Sequence, residues 1–99
     1  MEINITDGIQ TIITVKGRLD TVNSPVFEKN ITPVIIGDMK DTVIDCTELD
    51  YISSSGLRQF LTLQKTANAK QVKLTIRGMK DEIKEIFDMT GFTNLFMFE

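Results

Sequence analysis

Along this chain the apolar residues recur in turn with a period of two and with a period of about 3.6, and that alternation restricts the fold more than any single motif does. In "GIQTIITVKG" (8–17), Thr11, Ile13 and Val15 alternate with Ile12 and Thr14, as in a strand buried mainly on one face. "EINI" ahead of it is expected to pair alongside, with Asp7-Gly8 as a two-residue hairpin turn. "DTVIDC" (41–46) reads as a central strand covered on both faces, with Asp45 marking its emergence. In "QVKLTIRG" (71–78), Val72, Leu74 and Ile76 oppose Lys73, Thr75 and Arg77, which predicts a half-buried strand.

Helical spacing fills the intervals. In "RLDTVNSPVFEKNITPVIIG" (18–37), Ser24 is placed to cap, Pro25 suits the first helical position, and Val26, Phe27 and Ile31 form a broken apolar stripe. Pro33 removes a donor and biases Thr32 away from helix, so this helix either ends near Ile31 or bends there. After the serines at 53–55, Leu57, Phe60, Leu61 and Gln64, flanked by Leu63 and Ala67, predict a helix ending at Asn68 or in the following loop. In "MKDEIKEIFDMTGF" (79–92), Met79, Ile83, Ile86, Phe87 and Thr90 line one face, acids occupy the first turns and Gly91 stands just past the end, with Phe92 folding back. "LFMFE" is an edge strand or a tail over the sheet. The order β-β-α-β-α-β-α predicts an α/β sandwich, a mixed β-sheet with helices packed mainly on one face, in one domain over 1–99.

Composition narrows the chemistry. Cys46 is the only cysteine, so no intrachain disulfide can form, and its apolar setting reads as a small buried hydrophobe in a reducing compartment. Neither a secretory leader nor a run of ~20 apolar residues is present, which points to the cytoplasm and away from a membrane. A net charge of −3 disfavours a nucleic-acid backbone as partner. The absence of histidine excludes Ser-His-Asp and Cys-His catalysis and ordinary zinc sites. No cofactor is indicated.

The residues at 49–58, "LDYISSSGLR", put hydroxyls where a strand feeds a helix. A helix start leaves about four backbone N–H groups unpaired, and Ser54 or Ser55 can cap them, while Gly56 permits a tight approach. The same amides and the helix dipole favour an anion, so a phosphoryl group on a hydroxyl there leaves the fold intact and changes only the surface.

Three blocks carry a family resemblance. "DCTELDYISSSGLRQFLTLQK" resembles the signature of the STAS domain, "GRLDTVNSP" is similar to that family's Gly-x-Leu-Asp turn, and "IKEIFDMTGFTNLFMFE" to its last helix, Gly-Phe turn and closing segment. The whole chain is similar to the stand-alone anti-sigma factor antagonists. The resemblance implies a non-enzymatic module: unphosphorylated, it binds an anti-sigma factor that is also a serine kinase and so frees a sigma factor. Phosphorylation releases it, and a serine phosphatase restores it. By position the phosphorylated serine is Ser54, with Ser53, which stands where many members carry Asp, as the alternative acceptor. The implied partner surface comprises Asp20, Thr21, Ser53, Ser55, Gly56, Leu57 and Arg58.

The remaining candidates have plainer readings. Asp20 is equally an ordinary turn residue, and Arg58, badly placed for the dipole, either pairs with an acid such as Glu48 or serves an interface. Asp45 and Asp50 resemble two acids of a metal site but read as strand-end and turn residues. Met79, Met89 and Met97 with Phe87, Phe92, Phe96 and Phe98 read as core and its cover. Two other functions stay open: an accessory or sensor subunit of a transport assembly, in which the serines only cap, and a serine-nucleophile enzyme that would need Lys65 or Lys70 as base.

Overall fold

A computed structural model describes residues 1–99, with the elements β1 (Glu2–Asp7), β2 (Thr11–Leu19), α1 (Ser24–Ile36), β3 (Thr42–Asp45), β4 (Leu49–Ile52), α2 (Ser54–Ala69), β5 (Leu74–Arg77), α3 (Asp81–Met89) and β6 (Met97–Phe98). The strands form one mixed sheet in the order β1-β2-β3-β5-β6, with β4 attached to β2. β1 and β2 are antiparallel, and the other pairings are parallel. Register sets Ile13, Ile44 and Ile76 side by side, and each is 0% exposed.

The three helices cover that face of the sheet. α1 contributes Phe27 and Ile31, α2 contributes Leu57, Phe60, Leu63 and Ala67, and α3 contributes Ile83 and Phe87. Phe60 is the centre of a run of rings, 5.8 Å from Phe27 and 6.1 Å from Phe87, which in turn meets Phe96 at 5.3 Å. Val43 points to the opposite side of the sheet and lies outside this cluster, although it too is buried. No helix is long and apolar enough to cross a membrane.

Several local expectations are corrected. Asp7 pairs with Thr11, so the hairpin loop holds Gly8, Ile9 and Gln10 rather than two residues. The stretch 41–52 contains two strands where one was expected. β3 breaks at Asp45, whose carboxylate accepts from the Thr47 N–H at 3.0 Å, its hydroxyl at 2.7 Å and Arg77 Nη2 at 3.1 Å, and this turn starts β4. β5 is shorter than the alternation implied and leaves Val72 outside. Of the two readings of "LFMFE" the edge strand holds: β6 pairs with β5 at the end of the sheet, after a 3-10 turn over Thr93–Leu95.

Ser24 does not cap α1; Asn23 occupies the cap position and Ser24 is buried as the first helical residue. α1 runs past Pro33 to Ile36, because the proline falls in the last turn and the Lys70 ammonium donates to the end carbonyls of Ile35 and Gly37 at 2.7 and 2.6 Å. Val26 is 53% exposed and so lies off the buried stripe, and Met89 is 85% exposed rather than part of the cover. α3 ends as expected: the Gly91 and Phe92 N–H groups donate to Asp88 and Phe87 carbonyls at 3.2 and 2.8 Å, with Gly91 at φ 78°, the left-handed closure that glycine allows.

Cys46 is fully buried, and loss of hydration pushes its thiol well above the ordinary range, reinforced by Asp45 next to it. Asp45 shifts the other way: the Thr47 hydroxyl bond, then the Thr47 amide and the Arg77 bond and charge, hold its carboxyl below 3.8 against the cost of burial.

Two outcomes are expected. Phe60→Ala, which removes the middle ring, should cost about 3–5 kcal/mol of unfolding free energy in urea titration. The Asp45 carboxylate stabilises the fold above its unfolded value near 3.8, and that contribution fades as pH falls through the lower folded value. Asp45→Asn should therefore lose stability near neutral pH and show a flatter acid limb in pH-dependent denaturation.

Candidate functional site

The site begins with a parallel strand pair. β4 runs beside the end of β2, with Leu19 opposite Ile52, and the Ser53 N–H donates to the Leu19 carbonyl at 2.8 Å. The turn after β2 and the start of α2 therefore leave the sheet together, which brings Asp20 and Thr21 beside the serines. Gly56 makes the approach possible. A Cβ there would lie 2.7 and 2.9 Å from Leu19 Cγ and Cδ2 and 3.1 Å from Ile52 Cγ1.

The three serines have separate duties. Neither Ser54 nor Ser55 is the cap, as the sequence had indicated; Ser53 is. Its extended backbone turns the side chain onto the helix, where Oγ accepts from the Gly56 N–H at 3.2 Å and lies in hydrogen-bond contact with Ser55 Oγ at 3.0 Å. Ser53 is 8% exposed. Ser54 is the first helical residue, exposed, and its hydroxyl has no hydrogen-bond partner. No acid stands in the first turn of α2, and the Ser54 and Ser55 amides have no hydrogen-bond partner, with the helix dipole behind them.

Of the other predicted partner residues, Thr21 and Arg58 are exposed, Asp20 and Ser55 are half-buried, and Gly56 and Leu57 are buried beneath the surface. Asp20 is tied into the turn: its N–H donates to Asn23 Oδ1 at 2.8 Å and its Oδ1 accepts from the Asn23 N–H at 3.0 Å. Arg58 makes no ion pair, and Glu48, the acid expected for it, meets Lys16 at 3.3 Å. Asp50 pairs with Lys80, whose charge is favoured in return, and Asp45 belongs to the turn described above. Lys70 is occupied at the far end of α2, about 24 Å along the axis from Ser54, and Lys65 is about 16 Å along it, so neither reaches a serine as base.

Sequence reading missed Val22, 88% exposed in the turn next to Thr21, and Tyr51, whose ring lies 4.3 Å under the Arg18 guanidinium. An apolar residue among turn formers was the available signal for the first. The second required β4 to be recognised as a strand. Also missed was an open groove of about 410 Å³ beside Ser54, between α2 and the end of α3, lined by Ser54, Leu57, Arg58, Leu61, Thr90 and Phe92.

The family model of the STAS domain matches residues 1–99. An anti-sigma-B factor antagonist of Staphylococcus aureus is 30% identical over 83 residues, 84% of this chain and 77% of that protein. In fold, the chain is similar to an anti-sigma-factor antagonist (STAS) domain protein of Planctomyces limnophilus, with a TM-score of 0.86 at 16% identity over 97% of this chain and 87% of that one. It is also similar to the Bacillus cell fate determinant SpoIIAA in its phosphorylated form, with a TM-score of 0.75 at 16% identity over 99% and 89% of the two chains.

The separation of cap from exposed hydroxyl is testable by stability alone. Ser53→Ala should lower unfolding free energy by about 1 kcal/mol, and Ser54→Ala should change it by less than about 0.5 kcal/mol. Gly56→Ala should cost about 1–3 kcal/mol, since Leu19 and Ile52 have to move. Thermal or urea denaturation of the three variants measures all of this.

Proposed function

This chain belongs to the STAS domain family, and from that premise we propose that it is an anti-sigma factor antagonist. Unphosphorylated, it docks an anti-sigma factor serine kinase over the surface formed by the Asp20–Thr21 turn and Ser53 to Arg58, and so frees a sigma factor. Its role is binding, not catalysis. The kinase transfers the γ-phosphoryl group of ATP to Ser54: the Ser54 Oγ–phosphorus bond forms, the bond from phosphorus to the β,γ-bridging oxygen breaks, ADP leaves, and the hydroxyl proton passes to the kinase. A serine phosphatase reverses the switch by hydrolysis, returning the serine hydroxyl and inorganic phosphate.

One observation carries the choice of residue. Ser54 is exposed and unpartnered at a helix start, whereas Ser53 is 8% exposed and holds the Gly56 amide. Phosphate adds about −1.5 to −2 charges. At Ser54 it meets open amides and solvent, so the domain keeps its shape. At Ser53 it would break the cap and enter the packing around Leu19 and Ile52. A partner docked over Ser54 would have to strip water from a dianion, which costs several kcal/mol of interface energy.

The anti-sigma factor captured with the protein from a native lysate, then supplied with ATP, should place phosphate on Ser54, located by mass spectrometry. Ser54→Ala should hold the complex and take up no phosphate there. Ser54→Asp should weaken the complex several-fold, since one charge imitates two imperfectly. Phosphate on Ser53 in the parent, or unchanged uptake by Ser54→Ala, would overturn the assignment.

A further inference from the structure

The fold leaves one arginine unused. Of the three arginines, Arg77 bonds Asp45 at 3.1 Å and Arg18 lies 4.3 Å from the centre of the Tyr51 ring, while Arg58 meets neither an acid nor a ring. Its place, one turn into α2, is unfavourable for a cation with respect to the helix dipole. Nothing within the domain accounts for it.

Ser54 and Arg58 are four residues apart on α2 and line the same groove. Residues so spaced lie about 5–6 Å apart at Cβ, and helical side chains lean toward the N-terminus, so Arg58 covers the turn that begins at Ser54. The groove wall holds no acid, and Leu57, Leu61 and Phe92 make it apolar. At Leu61 it adjoins a second groove, lined also by Gln64, Asn68, Asn94, Leu95 and Lys65, the last seven residues beyond Arg58 and likewise without an ion pair. Two open cations about 10 Å apart over apolar side chains are complementary to a partner segment with acids at matching spacing.

We propose that Arg58 is the residue through which phosphate on Ser54 acts: its free guanidinium takes a carboxylate of an acidic, apolar segment of the anti-sigma factor laid in the groove, and after phosphorylation it closes onto the Ser54 phosphate instead. This rests on Ser54 being the phosphate acceptor. The internal pairing prevails because the phosphate carries more charge than a carboxylate, accepts the guanidinium fork, and is held one helical turn away, so its effective concentration far exceeds that of any partner. The switch then removes an attractive contact in addition to placing a repulsive one.

Two measurements on the full chain test it. With phosphoserine installed at position 54 during translation, the phosphorus NMR titration of the parent should show the second phosphate ionisation about half a pH unit below that of Arg58→Gln, with Arg58→Lys between them. Superimposable titrations would show that the guanidinium does not meet the phosphate and would overturn the pairing. Unphosphorylated Arg58→Gln should bind the purified anti-sigma factor roughly tenfold more weakly, and with a shallower salt dependence, than the parent. Equal affinity would overturn the docking role. If no kinase phosphorylates Ser54 while both results hold, the proposed switch fails and the pairing itself stands.

Discussion

The close contact of Gly56 with Leu19 and Ile52 governs the working end of this molecule. A parallel strand pair delivers two chain segments to the same edge, and α2 can start directly over them only because position 56 carries no side chain. From that contact follow the Ser53 cap, the direction in which Ser54 faces and the proximity of the Asp20 turn. The site is assembled from strand ends and a helix start, the rigid parts of the domain, so its geometry is largely set before any partner arrives.

Behind this edge the core resists displacement of α2. Phe60 is held between Phe27 and Phe87, and Leu63 and Ala67 continue the buried face on the Ile13, Ile44 and Ile76 row. An added charge on the exposed end of such a helix is cheaper to accommodate in solvent than by moving its packed face. The switch proposed at this position would therefore work by altering what the surface offers to a partner, with the fold unchanged.

The serine run illustrates how one residue type serves opposed needs. A cap must be buried enough to hold its amide, and a hydroxyl proposed as a phosphate acceptor must be open enough to be reached. Adjacent positions at a helix start meet these requirements separately, since Ser53 has extended backbone and turns inward while Ser54 is already helical and turns outward. Two grooves that meet at Leu61 extend the surface away from the serines along α2, and the cations on them, Arg58 and Lys65, make no ion pair.

The sequence by itself determined the layered architecture and where helices and strands alternate, because periods of two and 3.6 record which side chains must face a common core. It also marked the serine junction, since cap chemistry is local. It did not separate β3 from β4, although the Asp45 turn that divides them is held mainly by Thr47 two residues on, with Arg77 from β5 adding to it. It left open whether α1 ends near Ile31 or continues through Pro33, as the end of that helix is held by Lys70 from α2. Nor did it say which serine caps, that Glu48 is taken by Lys16, or that Arg58 is free beside a groove formed with the end of α3. The helix end, the Glu48 pairing and the groove are decided between residues far apart in the chain, and the choice of cap by the backbone that the β2–β4 pairing imposes on Ser53, so only the packed structure sets distance, exposure and competition for partners.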